Sequence, residues 1–182
     1  MALATRPARR DGPRINREPS PALAIGVPWV SIILATMATT LVMVATSPLV
    51  PPLGFLMFVA WRQVRPGLMP AWAGLPLGLV DDLYSGNPFG TAVLLWSLTV
   101  IVLDVVEVRL PWRNFLTEWL VAAGLILAYI VFTLALANLA GGSTPVFAVV
   151  PQIVLSILLF PLNGRLVALL DKLRLLPIRE IG

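Results

Sequence analysis

The chain has 182 residues, of which 58% are hydrophobic and 12% charged, about half the roughly 25% charge of an ordinary soluble domain. It contains no Cys and no His, which excludes thiol nucleophiles, Cys/His zinc sites, His-ligated haem and disulfides. Its mean hydropathy of +0.91 and a run from Trp119 to Gly164 free of Asp, Glu, Lys and Arg mark an integral membrane protein, since one membrane helix needs about 20 such residues. The fold class expected is all-α, a polytopic bundle of six transmembrane helices. A β-barrel shows short alternating segments instead.

In chain order, residues 1–21 carry Arg6, Arg9, Arg10, Arg14 and Arg17 among four prolines and read as a disordered basic cytoplasmic tail. The membrane domain follows over 22–176. A first apolar segment, about Ile25 to Val50, is too long for a signal-peptide core. A second, Leu53 to Trp61, is short and closed by Arg62, Arg65 and Pro66; it spans only with its flanks or in a thinned bilayer. The third runs from about Leu68 to Tyr84. The fourth runs from Pro88 to Val108, with Asn87 placed as N-cap and Pro88 at the first helical position. The fifth is Phe115 to Leu139, ended by the turn signal Gly141-Gly-Ser-Thr-Pro145. The sixth is Val146 to Leu170, leading to a cytoplasmic C-terminal tail at 177–182.

Six spans are tested by charge, because basic residues collect in cytoplasmic loops. All 13 basic residues fall in the N-terminal tail, in the second-to-third and fourth-to-fifth gaps, or toward the C-terminus. The other three gaps hold none, which predicts both termini in the cytoplasm. The high pI, about 10.7, thus reads as orientation and attraction to anionic lipid, with no nucleic-acid partner. Trp29, Trp61, Trp72, Trp112 and Trp119 read as interfacial anchors, with Trp96 the exception.

Asp81 and Asp82 stand together in the third segment, and an ionisable residue within a membrane span is a functional-site candidate. Gly74, Gly78 and Asp82 recur every four residues and so share one helix face. Gly74-Leu-Pro-Leu-Gly78 is a GxxxG that admits a close helix neighbour, with Pro76 expected to kink it. Asp82 lies toward the non-cytoplasmic side. Two readings stay open. In one, an aspartate, Asp82 first, caps backbone N–H groups at Gly86 to Gly90 and the start of helix four. In the other, the pair lines a polar pocket, a proton or ion site, or a partner contact. Asp104 and Glu107 read as interfacial ion-pairing groups beside Arg109 and Arg113, and Gln152 and Asn163 as inter-helix hydrogen bonders. No catalytic set emerges. Without His there is no Ser/His/Asp triad, no phosphate loop occurs, and Asp81 and Asp104 sit on opposite membrane sides. The chain is expected not to be an enzyme and to use no cofactor or metal.

The pattern Gly78-x-x-x-Asp82-x-x-x-Gly86-x-Pro88-x-Gly90, the earlier Trp61-Arg-x-x-Arg-Pro66 and the final Leu159-Phe-Pro161-Leu-Asn-Gly-Arg165 together resemble MreD, the bacterial rod-shape-determining membrane protein family, over about Val27 to Leu175. On that resemblance Gly78, Asp82, Gly86, Pro88 and Gly90 form the structural or partner-binding motif, and Asp81, Gly74, Pro66 and Pro161 are further candidates. Asp82 holds the family position; Asp81 is an added charge. The resemblance implies a non-enzymatic inner-membrane scaffold of the elongasome. Its partner is MreC, and through MreC it meets MreB filaments, RodA and the RodA transpeptidase partner in lateral peptidoglycan synthesis. It also implies a fold similar to the substrate-binding subunits of energy-coupling-factor transporters. The alternative function is therefore a membrane subunit that captures a small, vitamin-like molecule.

Overall fold

A computed structural model describes residues 21–43, 50–110 and 114–174. Of the expected tails, residues 1–20 and 177–182 lie outside these residues, as do Trp112 and Arg113, whereas Pro21 opens the first helix. The described chain is all helical, in the order α1 (Pro21–Met43), α2 (Leu53–Val64), α3 (Gly74–Ser85), α4 (Thr91–Arg109), α5 (Phe115–Leu139) and α6 (Val150–Arg174). Short 3-10 turns at Ala71–Ala73 and Val146–Val149 lead into α3 and α6. No strand occurs among the described residues.

Helices α4, α5 and the 146–174 unit are long and apolar enough to cross a membrane. Their large apolar side chains, such as Leu94, Ile101, Phe132 and Leu158, are exposed, as expected of surfaces that meet lipid rather than water. Helix α2 is the opposite case. At 12 residues it is about 18 Å long, short of a hydrocarbon core of about 30 Å. Yet every residue from Gly54 to Gln63 is buried, packed among α1, α4, α5 and α6. A helix sheathed by others need not itself match the thickness of the bilayer.

The α1–α2 contact depends on Gly54: a Cβ there would lie 2.1 Å from Thr36 Oγ1. The Trp61 indole donates to Ser31 Oγ at 2.9 Å, and its side chain is fully buried. Trp61 is thus a core residue and not an interfacial anchor, because α1 covers the side that sequence position alone assigns to the membrane surface. Trp96 is also fully buried, stacked on Phe58 with ring centroids 4.8 Å apart.

Two prolines act differently from expectation. Pro76 does not kink a helix begun at Leu68. Helix α3 starts at Gly74, so Pro76 occupies the first turn, where its missing N–H has no intrahelical partner to lose. Pro66 and Gly67 form the centre of a turn closed by Leu68 N–H to Arg65 C=O at 3.2 Å, with Gly67 at φ 77°. Proline followed by a positive-φ glycine is the type II arrangement.

Helix α5 ends in a Schellman motif: Gly142 N–H bonds Ala137 C=O and Gly141 N–H bonds Asn138 C=O, with Gly141 at φ 107°. In α6, Pro161 leaves the carbonyl of Ile157 without its i+4 donor. The Trp119 indole of α5 donates to that carbonyl at 3.2 Å. Gln152 donates to Val50 C=O at 2.8 Å, whereas Asn163 Nδ2 is buried without a partner.

Candidate functional site at the α3–α4 turn

Helices α3 and α4 form an antiparallel pair whose backbones nearly touch. A Cβ on Gly74 would lie 2.9 Å from Trp96 and Ser97 backbone atoms, and one on Gly78 2.7 Å from the Ala92 carbonyl oxygen. Only glycine permits this approach, and it carries Asp82, one turn beyond Gly78, to the start of α4.

There the Asp82 carboxylate accepts three backbone N–H groups: Gly90 at 2.9 Å, Ala92 at 2.8 Å and Val93 at 3.1 Å. Thr91 N–H bonds Pro88 C=O at 3.1 Å, and Leu94 N–H makes the first intrahelical bond, to Gly90 C=O at 3.0 Å. Every donor of the first α4 turn is therefore satisfied. The positive end of the helix dipole meets a fixed negative charge, and Asp82 is buried. The cap residue itself is Gly90, in the left-handed region at φ 92°. The expected start, Asn87 as N-cap and Pro88 at N1, is displaced by three residues. A cap supplied by the preceding helix frees Pro88 to form the turn. Gly86, at φ 69°, ends α3 in the left-handed conformation, and Thr40 of α1 donates to the Tyr84 carbonyl at 3.1 Å.

Each of the five motif positions thus has a mechanical part in one brace. Gly78 lets the helices meet, Asp82 caps α4, Gly86 and Gly90 take the positive φ angles, and Pro88 supplies the turn carbonyl. The family model for the rod shape-determining protein MreD matches residues 23–173. The chain belongs to the MreD family. It is a membrane protein of rod-shape determination, a system that includes MreC and MreB, and the family is structural and not known for catalysis. No curated protein and no solved structure matches the chain.

In this MreD-family chain Asp81 points away from the brace. Its Oδ2 accepts the Tyr129 hydroxyl of α5 at 3.0 Å, and Asp81 is buried. The Tyr129 ring stacks on Phe55 of α2, centroids 4.1 Å apart, and Phe55 meets the edge of Trp96 at 5.9 Å. The two aspartates thus tie α3 to different neighbours, α4 through Asp82 and α5 through Asp81. Sequence reasoning missed Tyr129, although it is one of two tyrosines and stands within the charge-free run.

The opposite end of the bundle holds ion pairs. Arg62 is buried; it donates to Met69 C=O at 2.7 Å and pairs with Asp104 of α4. Asp104 is therefore committed to α2, and not to its own helix end as its position near Arg109 suggests. Asp171 of α6 lies between Arg65, at 2.7 Å on one oxygen, and Arg174, at 2.9 Å on the other. Pro66 sits in the turn between these clamps, and Pro161 acts through Trp119 in the same half of the molecule. Neither Pro66 nor Pro161 meets the α3–α4 brace. Among the described residues no cluster of three or more acidic or His/Cys side chains is placed to hold a metal.

Proposed function

We propose that this protein is an inner-membrane scaffold of the elongasome that binds MreC, with both termini in the cytoplasm. On that topology the α3–α4 turn lies on the outer side, where MreC, a single-span protein with a periplasmic domain, is available. The observation that carries the proposal is the capped turn: Asp82 spends its carboxylate on three N–H groups and so shapes a rigid surface rather than reacting. On that surface Phe89 is 73% exposed and Leu83 67% exposed, apolar side chains fit for a partner anchor. MreC then couples the bundle to MreB filaments, RodA and its transpeptidase.

Phe89→Ala and Asp82→Asn separate shape from contact. Phe89→Ala lowers MreC co-purification and cell-shape complementation while the melting temperature holds. Asp82→Asn lowers all three. Full activity of both variants in both assays overturns the assignment. The alternative, a subunit that captures a vitamin-like molecule, needs free polar groups on the outer side. Asp81 and Asp82 both have donors from the protein itself, which favours the scaffold.

A further inference from the structure

Between α2, α5 and α6, at the end of the bundle that carries the ion pairs, lies a cleft of about 410 Å³. Helical interiors are close-packed and leave few voids larger than a water molecule; this volume is in the range of ligand sites. Its walls are mainly apolar, among them Ala60, Trp119, Phe160 and Gly164, and it carries two opposite charges, Glu118 and Arg165. Neither charged side chain has an ion-pair or hydrogen-bond partner among the described residues. Glu118 stands in the first turn of α5. The Gln63 side chain donates to its carbonyl at 3.1 Å and pins that turn to α2. Arg165 is exposed, and Phe115, on the rim, is 70% exposed, so the cleft opens to the molecule's surface.

We propose that this cleft binds an aminophospholipid, with an acyl chain along the apolar wall, the phosphate on Arg165 and the primary ammonium on Glu118. In a bilayer an apolar cleft open at the surface meets acyl chains rather than water, and basic pockets between membrane helices hold lipid headgroups. The pair of charges selects among headgroups. An anionic lipid satisfies Arg165 but sets its own charge against the Glu118 carboxylate. A choline headgroup carries the positive charge but has no N–H to donate. A primary ammonium beside a phosphate gives each protein charge a charge-assisted hydrogen bond.

Gly164 supplies the control. A Cβ built there meets nothing within 4 Å, so Gly164→Leu grows into open space without a backbone clash and gains helix propensity. The test is native mass spectrometry of the full-length protein with phosphatidylethanolamine, phosphatidylcholine or phosphatidylglycerol of matched chains. The ethanolamine lipid is expected to be retained about tenfold better than the other two, the equivalent of one charge-assisted bond. Glu118→Gln should erase its preference over the glycerol lipid, Arg165→Gln should lower retention of all three, and Gly164→Leu should expel the lipid without lowering the melting temperature. Equal retention of the three lipids, a preference that survives Glu118→Gln, or undiminished lipid on Gly164→Leu overturns the proposal. So does a partner's membrane segment cross-linked at Gly164 with no lipid retained.

Discussion

Asp82 and Ala92 face each other across the α3–α4 turn, the carboxylate of one accepting the backbone N–H of the other at 2.8 Å, with Gly90 and Val93 N–H groups on the second oxygen. Hydrogen bonds to a charged group contribute about 1.5–3 kcal/mol each, and an orphaned buried donor costs about 1–3 kcal/mol. Asp82→Asn keeps one acceptor oxygen but turns an N–H₂ toward donors. It is expected to destabilise the protein by about 2–3 kcal/mol, read as a lower melting temperature in detergent. Asp82→Ala should cost more. A melting temperature equal to wild type for both variants contradicts the cap.

Gly78 tests the approach that brings Asp82 there. Alanine in place of a mid-helix glycine gains about 1 kcal/mol of helix propensity. At this position the new Cβ would sit 2.7 Å from the Ala92 carbonyl oxygen, and overpacking costs about 1–3 kcal/mol. The atoms in the way are backbone, so the clash wins and Gly78→Ala is destabilising. Gly164→Ala, in open space, should be neutral or stabilising in the same assay.

These residues show what the sequence makes legible. Spacing alone puts Gly74, Gly78 and Asp82 on one face, and hydropathy alone marks the α5 range. The neighbour of each face is not written locally. Asn87 and Pro88 have the composition of a helix start, but the cap comes from Asp82, eight residues before Gly90, and the start moves to Thr91. Trp61 has the flanks of an interfacial anchor until α1 covers it. Asp104 has basic neighbours in sequence, yet its partner is Arg62, 42 residues away. Long-range pairs of this kind depend on which helices pack together, and one sequence does not encode that in any short window.

The Arg62–Asp104 pair predicts an asymmetry. The Arg62 side chain is 5% exposed and that of Asp104 47%. Removing the exposed partner leaves a buried guanidinium charge with the Met69 carbonyl, which costs more than orphaning a neutral carbonyl. Removing the buried one leaves a carboxylate that water or lipid headgroups can reach. Asp104→Asn should therefore destabilise more than Arg62→Met, and the double variant should melt above Asp104→Asn alone. Equal losses from the two single variants would contradict the burial difference.

Trp119 and Pro161 form a coupled pair although they do not bond each other. Pro161 has no N–H, so the Ile157 carbonyl lacks its helical donor, and the Trp119 indole fills the gap at 3.2 Å. In the wild-type background Trp119→Phe removes that donor and should cost about 1 kcal/mol. Pro161→Ala restores an N–H four residues after Ile157, so the carbonyl regains a partner from its own helix. The same Trp119→Phe change should then cost close to nothing. A double-mutant cycle on melting temperature measures the difference directly, because it cancels the packing loss common to both backgrounds. An identical cost in the two backgrounds would show that the indole contributes through its ring alone. The predicted coupling requires that the proline, by withholding a donor from α6, creates the site that holds α5 against it.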